Sequence, residues 1–265
     1  MDLAPSGIVT LLSDFGTTDG YVAALKGVIL SVNPRLVVVD VTHEVPPQDI
    51  RSGAFTLAQV APMFPPGTVH VAVVDPGVGS DRRPLLVLSS GQAFVGPDNG
   101  LLSRAAAAPR EVRHLTRPHW WRPSPSRTFQ GRDLFAPAAA HLASGWAAED
   151  AGPVITDPVE LCLPEPVVQS GGLSGEVVHA DRFGNLVTNI GARHLAGRDP
   201  AALQIAIAGF TIPGLSATFA DVAPGELLAY VGSDGLLEVG RRGGDARHYL
   251  GAPRGTAIRV DLGPR

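Results

Sequence analysis

The chain has 265 residues, 45% of them hydrophobic and 17% charged, with a formal net charge of -4. That is enough chain for one large domain or two smaller ones around a sizeable core, and the composition excludes a disordered polymer. The acidic balance argues against nucleic acid as a partner, and the lone Cys162 excludes a disulfide framework or a cysteine-rich metal site.

The first half alternates strand and helix. Ile8–Leu12 reads as a short apolar strand. It runs into a loop, Ser13–Gly20, rich in turn and cap residues. Val22, Leu25, Val28, Ile29 and Val32 then share one helical face, and Asn33-Pro34 stops that helix. Thr18 or Asp19 is the expected cap. Leu36–Val41 has the β-branched run of a buried parallel strand. Ile50–Val60 reads as a helix, and Val69–Val74 as a third strand leading into Asp75-Pro76-Gly77-Val78-Gly79. Leu85–Leu88 and Ala93–Val95 follow as strands. The Ala105–Ala108 tract reads as a helix end, Trp120-Trp121 as a surface hydrophobic anchor, and Phe135–Leu142 as a helix. This order predicts an α/β fold: a mostly parallel sheet flanked by helices over residues 1–160.

Prolines 153, 158, 164 and 166 mark a change, with a linker over 161–169. Beyond it, Gly175–His179, Leu186–Asn189, Leu203–Ile207, Leu227–Val231, Leu236–Val239 and Ile258–Asp261 read as short strands. Turn residues separate them closely, which predicts a smaller antiparallel, barrel-like β domain over 170–265. The stretch from Met1 to Gly7 has no basic n-region, so no secretion signal is expected. No apolar run is long enough to span a membrane, so no membrane partner is expected, and the single cysteine fits a cytoplasmic location.

In open parallel sheets, ligands bind beyond the carboxyl ends of the strands. Asp14 follows the first strand and Asp75 the third. Each has a plain alternative as a turn residue. Arg82 and Arg83 after the Asp75 turn are either solvated or one half of an Asp/Arg pair around a small reactive group. The turn lacks the Gly-Lys-Ser/Thr of a P-loop, no Gly-x-Ser-x-Gly elbow appears, and the eight histidines show no metal-ligand spacing. Asp181-Arg182-Phe183-Gly184-Asn185 offers an acid, an aromatic face and an amide to a nucleobase, or is a hairpin turn.

Six segments in order resemble the S-adenosyl-L-methionine (SAM) hydroxide adenosyltransferase family, relatives of fluorinating and chlorinating adenosyl transferases. They are Leu12–Asp19, Thr42–Asp49, Val73–Gly79, Gly96–Leu102, Gly131–Pro137 and Asp181–Asn185. The resemblance implies a two-domain homotrimer with its substrate between neighbouring subunits. It implies attack of water or hydroxide on C5′ of SAM, giving adenosine and methionine, with no metal or other cofactor. Of the family's Asp, Arg and His set, Asp75 and Arg82 match, while Gln130 stands where the family carries histidine. A glutamine hydrogen-bonds but does not titrate near neutrality, which leaves Asp75 as the proton acceptor. The resemblance also implies that Asp14 accepts the ribose hydroxyls with Asp19 in support, and that Gln48 replaces a ring found in the halogenating relatives. Phe183 and Phe219 would pack on adenine or methionine and Asn185 would read the adenine edge. Asp181 and Ser233 would hold the amino-acid end, with Arg241 and Gly243 nearby. The alternatives are a module that binds adenosine or SAM without turnover, and halide transfer, which a carboxylate at Asp75 disfavours by repelling the anion.

Overall fold

The computed structural model describes residues 3–162, 164–169 and 171–263. Met1 and Asp2 of the N-terminal stretch, and Leu163 of the expected linker, lie outside the described residues. Two compact units meet in sequence between Leu161 and Cys162.

The first unit contains β1 (Ile8–Ser13), α1 (Tyr21–Val32), β2 (Val37–Thr42), α2 (Ile50–Val60), β3 (Val69–Val73), β4 (Pro84–Ser89), β5 (Gln92–Pro97), β6 (Arg110–His114), α3 (Ala136–Ala143) and β7 (Val154–Ile155). Its strands form one sheet in the order β2-β1-β3-β5-β4-β6-β7. Pairings from β2 through β5 are parallel, and those of β4 with β5 and β6, and of β6 with β7, are antiparallel. The sheet is therefore mixed. Ser90-Gly91 explains why: both residues have positive φ, the conformation of a two-residue hairpin turn, and such a turn joins antiparallel neighbours only.

Both faces of the sheet are covered, as the apolar strands require. Val9, Leu11, Val71 and Val73 pack on one side with Leu25 and Ile29 of α1 and the alanine-rich α3. Leu12, Ala72, Val74 and Phe94 pack on the other with Ala54 and Leu57 of α2. The two sets follow the period-two alternation of a strand, odd positions to one face and even to the other.

Three local expectations are corrected. Trp120 is fully buried rather than a surface anchor: a 3₁₀ turn over Pro118–Trp120 tucks its ring into the α1/α3 core, edge-on to Trp146, and Trp121 packs partly buried against the same core. Ala105–Ala108 is a turn and coil segment, not a helix end, because the chain must reverse here to enter β6. Neither Thr18 nor Asp19 caps α1. Gly20 occupies the cap position, its carbonyl accepting from Ala24 N at 3.0 Å, with no side-chain cap.

The second unit contains β8 (Val167–Gln169), β9 (Gly172–Ala180), β10 (Leu186–Gly191), α4 (Ala192–Leu195), β11 (Gln204–Ile207), β12 (Phe210–Pro213), β13 (Leu227–Val231), β14 (Leu236–Arg241), α5 (Ala246–Leu250) and β15 (Ala257–Asp261). The order is β12-β11-β15-β9-β10-β14-β13, antiparallel throughout, and β12 comes back near β13 in an almost closed barrel. Its interior is aliphatic: Val177, Ile190, Ile205, Leu237, Ile258 and Val260 are buried. The last residues of the expected linker, Val167–Gln169, are strand β8, paired with β9. Among the described residues, no helix is long and apolar enough to cross a membrane.

Candidate active site

β1 and β3 are neighbours with Ser13 opposite Val73, so the loops that follow them open onto one place. A cavity of about 450 Å³ lies there, lined by Asp14 and Phe15 after β1, Gln48 before α2, Asp75 after β3, and Phe129 and Gln130 before α3. That volume suits a nucleoside-sized ligand.

Asp75, Arg82 and Gln130 come together as one hydrogen-bonded set. Arg82 Nε donates to both Asp75 oxygens at 3.0 Å, and Nη2 donates to Oδ2. The same Nη2 donates to Gln130 Oε1. The Arg82 and Asp75 side chains are only 9% and 5% exposed, so the pair is nearly dry. Local chain geometry produces this. Val78 N donates to the Asp75 carbonyl and Ser80 N to that of Gly77, folding the turn tightly enough for Arg82 to reach back seven residues. Gly79 is required there: its φ is +81°, and a Cβ would lie 2.9 Å from the Arg127 carbonyl. Asn99 Nδ2 donates to the Val74 carbonyl at 2.9 Å and fixes the end of β3 from the neighbouring loop. Gln130 leads into a π-helical turn over Gly131–Phe135, a conformation often found at functional sites. Asp133 in that turn accepts from Ser126 N, Arg122 and Arg132, so it staples the loop.

The chemistry follows from the bonds. The Gln130 carbonyl oxygen accepts from Arg82, its amide N–H groups remain as donors, and neither group takes a proton near neutral pH. Asp75 is the carboxylate beside that amide, held in place by a guanidinium that lies 5.4 Å from the Phe135 ring centre.

Asp14 sits on the opposite loop, and its Oδ2 accepts the backbone N–H of Gln48 at 2.8 Å. Gln48 has φ +65°, rare for a residue with a Cβ, and this places its N–H on the carboxylate. Such strain concentrates at ligand sites. Gln48 thus contributes its main chain here. Asp19 is exposed and does not line the cavity. Three rings that sequence reasoning did not single out form the apolar wall: Phe15, Tyr21 and Phe129, in mutual contact at 5.2–5.9 Å between centroids. Tyr21 is 48% exposed at the cavity wall.

In the second unit, Asp181–Asn185 is the β9–β10 connection. Asp181 accepts from the backbone of Phe183 and Asn185 and from Asn185 Nδ2 at 2.8 Å. Phe183 is left 76% exposed at its tip. A Cβ on Gly240 would lie 2.9 Å from both Asn185 Oδ1 and the Phe219 ring, so those two candidates sit side by side over β14. Phe219 also packs on Tyr230 at 5.2 Å. Ser233 is exposed in the β13–β14 turn. Arg241 donates to the Gly225 carbonyl and covers the Tyr249 ring at 4.1 Å, with Gly243 in the exposed turn after it.

Residues 9–152 match the family model described as SAM hydroxide adenosyltransferase N-terminal domain, and residues 175–259 its C-terminal domain. The chain is 43% identical over 267 residues to a protein of Salinispora tropica named (R)-S-adenosyl-L-methionine hydrolase, covering 98% of this chain and 100% of that one. A protein of the same name from Thermus thermophilus is 42% identical, with 95% and 98% covered. A fluorinase from an Actinoplanes species is more distant, 30% identical with 96% and 97% covered. Among solved structures, an uncharacterized conserved protein from Thermotoga maritima superposes with a TM-score of 0.88 at 34% identity, covering 95% of this chain and 99% of that one. With both family domains matched in order and relatives alike from end to end, the chain belongs to the SAM hydroxide adenosyltransferase family.

Proposed function

We propose that this protein hydrolyses S-adenosyl-L-methionine to adenosine and L-methionine. The observation that carries the reading is the dry Asp75–Arg82–Gln130 set in the wall of a nucleoside-sized cavity. Water oxygen attacks C5′, the C5′–S bond breaks, and the sulfur leaves with the electron pair as methionine. The water's proton passes to Asp75. Attack on a sulfonium neutralises charge, so exclusion of solvent around Asp75 favours the step. Arg82 holds the carboxylate and Gln130 orients the water by donation. Water is the cosubstrate, and the chemistry calls on no metal or redox cofactor.

Asp14 accepts the ribose hydroxyls, with Phe15 and Phe129 beside the sugar. The roles of Asp181, Phe183, Asn185, Phe219, Ser233, Arg241 and Gly243 are to hold adenine and the amino-acid end. Assembly as a homotrimer, each site shared between neighbouring subunits, is part of the same reading. So is a cytoplasmic location, a reducing compartment that suits the lone, exposed Cys162.

Incubation with SAM, with adenosine followed by chromatography, tests the reading. The relatives' names specify the (R) sulfonium epimer, so each epimer is offered separately. Adenosine above the protein-free rate supports the proposal, and its absence with a folded protein rejects it. Asp14→Ala is expected to weaken adenosine binding by about 1.5–3 kcal/mol, the value of a hydrogen bond to a charged group, while the melting temperature moves little. Equal losses of affinity and thermal stability would mark Asp14 as a turn residue.

Gln130→His is expected to raise turnover by about tenfold, the low end of general-base assistance, because Asp75 already takes the proton. Its pH–rate profile should gain an inflection within about two units of 6.5, the Arg82 charge lowering the imidazole pKa and the Asp75 carboxylate raising it. An unchanged rate and profile would show that this position takes no part in proton transfer.

A further inference from the structure

Behind the Asp14 loop runs a chain of polar side chains that the reaction does not use. Lys26 Nζ of α1 is 2.5 Å from Asp40 Oδ2 of β2. Asp40 Oδ1 accepts from His43 Nε2 at 3.1 Å, and His43 Nδ1 lies 2.7 Å from Ser13 Oγ at the end of β1. Ser13 is fully buried and His43 is 4% exposed, whereas Lys26 and Asp40 reach solvent, their side chains 35% and 40% exposed. Ser13 Oγ also accepts the Phe15 N–H at 3.3 Å. The Asp40 carboxylate only accepts, so in the neutral imidazole the ring proton lies on Nε2, facing Asp40, and Nδ1 accepts the Ser13 hydroxyl proton. The His43 carbonyl takes the Gly16 N–H at 2.8 Å. One residue therefore grips both ends of the short segment that carries Asp14 and Phe15.

The connectivity Ser–His–Asp is that of an acyl-transfer triad. A nucleophile must meet its substrate, however, and Ser13 has no exposed surface and does not line the cavity. We infer that His43 and Ser13 are positioning residues: through Ser13 Oγ and the His43 carbonyl, the Lys26–Asp40–His43 chain fixes the Asp14 carboxylate at the ribose position. Burial works to raise the Asp40 pKa, but the hydrogen bonds from Lys26 and His43 outweigh it and hold the carboxyl below its usual range, so the outer end of the chain stays anionic. The device explains why a buried histidine sits in the segment Thr42–Asp49 although no reacting atom touches it.

The inference rests on the reading that Asp14 holds the nucleoside. It is tested by calorimetric titration of adenosine, with kcat and KM for SAM, on Ser13→Ala, His43→Ala, His43→Asn and Asp14→Ala. A loop displaced by a fraction of an ångström is expected to raise the adenosine Kd and the KM about tenfold in Ser13→Ala and in His43→Ala, with kcat within about threefold. His43→Asn is expected to recover most of the loss, since its Oδ1 accepts from Ser13 where Nδ1 did. The double variant Ser13→Ala/His43→Ala should be no worse than either single one, as for groups acting in one network. If either buried change prevents folding, Asp40→Asn at the surface end should raise KM in the same direction by about threefold. Weakened binding in Asp14→Ala together with unchanged binding in the Ser13, His43 and Asp40 variants overturns the inference and leaves the site reading intact. Unchanged binding in Asp14→Ala overturns the site reading and this inference with it. A fall in kcat and melting temperature with KM untouched also overturns it, because that is what a purely structural role would give.

Discussion

Asp75→Asn is expected to lower kcat by roughly 10³-fold, the middle of the range for loss of a general base. The asparagine keeps an oxygen for Arg82 but cannot take a proton, and Gln130 cannot substitute for it. Gln130→Ala in the same assay should cost no more than about tenfold, because Arg82 still holds Asp75 through Nε. The contrast follows from the glutamine: with a titratable group at position 130 the two losses would be closer. The substitution also leaves the Arg82 charge, 9% exposed, without its counter-ion. Folding stability should therefore drop as well, by an amount of order 3–5 kcal/mol. Adenosine affinity separates the two effects. It should stay within a few-fold of the parent at a temperature where the variant is folded. Turnover within tenfold of the parent would show that Asp75 is not the proton acceptor.

Acid is expected to destabilise the protein well above the pH at which carboxylates protonate. His70, the second residue of β3, has no exposed surface; its Nδ1 is 2.8 Å from Thr10 Oγ1 and its ring stacks on Phe94 at 5.0 Å. Burial pushes its pKa from 6.5 down to about 4, against the opposing effect of Gln92. Between those values the unfolded chain binds a proton that the folded chain refuses, so stability falls as pH falls through that window. Above 6.5 the contribution is fully present, and below about 4 the loss is complete. The loss between pH 7 and 5 is about 2 kcal/mol by linkage. Urea unfolding of the parent and of His70→Gln, which keeps a partner for Thr10 without titrating, measures it. The glutamine variant should show a much shallower slope. His141, lowered by burial and then by the His119 charge, should leave a small residual one. Equal slopes in both proteins would place the acid sensitivity elsewhere.

What the chain order reveals depends on how local each interaction is. The β1–α1–β2 alternation and the reach of Arg82 back to Asp75 are legible because both are set within a few residues. Strand β6 is not: Arg110-Glu111-Val112-Arg113-His114 has one buried position, and the strand exists because β4 offers it an edge. Strand β12 is four residues with one buried, legible only as the partner of β11. The place of Gln130 beside Arg82 rests on contact across 48 residues, which no spacing reports and only the family resemblance supplied. The aromatic wall has the same origin, since Phe129 meets Phe15 only after the sheet has formed. Gln48 was singled out for its side chain, but it is the strained backbone that reaches Asp14, and residue type alone does not encode that.

Lys26 is the chain's only side-chain amine and Cys162 its only thiol. Reagents that acylate amines will therefore find a single lysine, and modification there removes the cation from Asp40. A molecule immobilised or dye-labelled at Lys26 rather than at the α-amine would carry a loosened nucleoside loop, and its kinetics would describe the label as much as the enzyme. The exposed thiol at Cys162, where the two units meet in sequence, is the attachment point that leaves that loop alone.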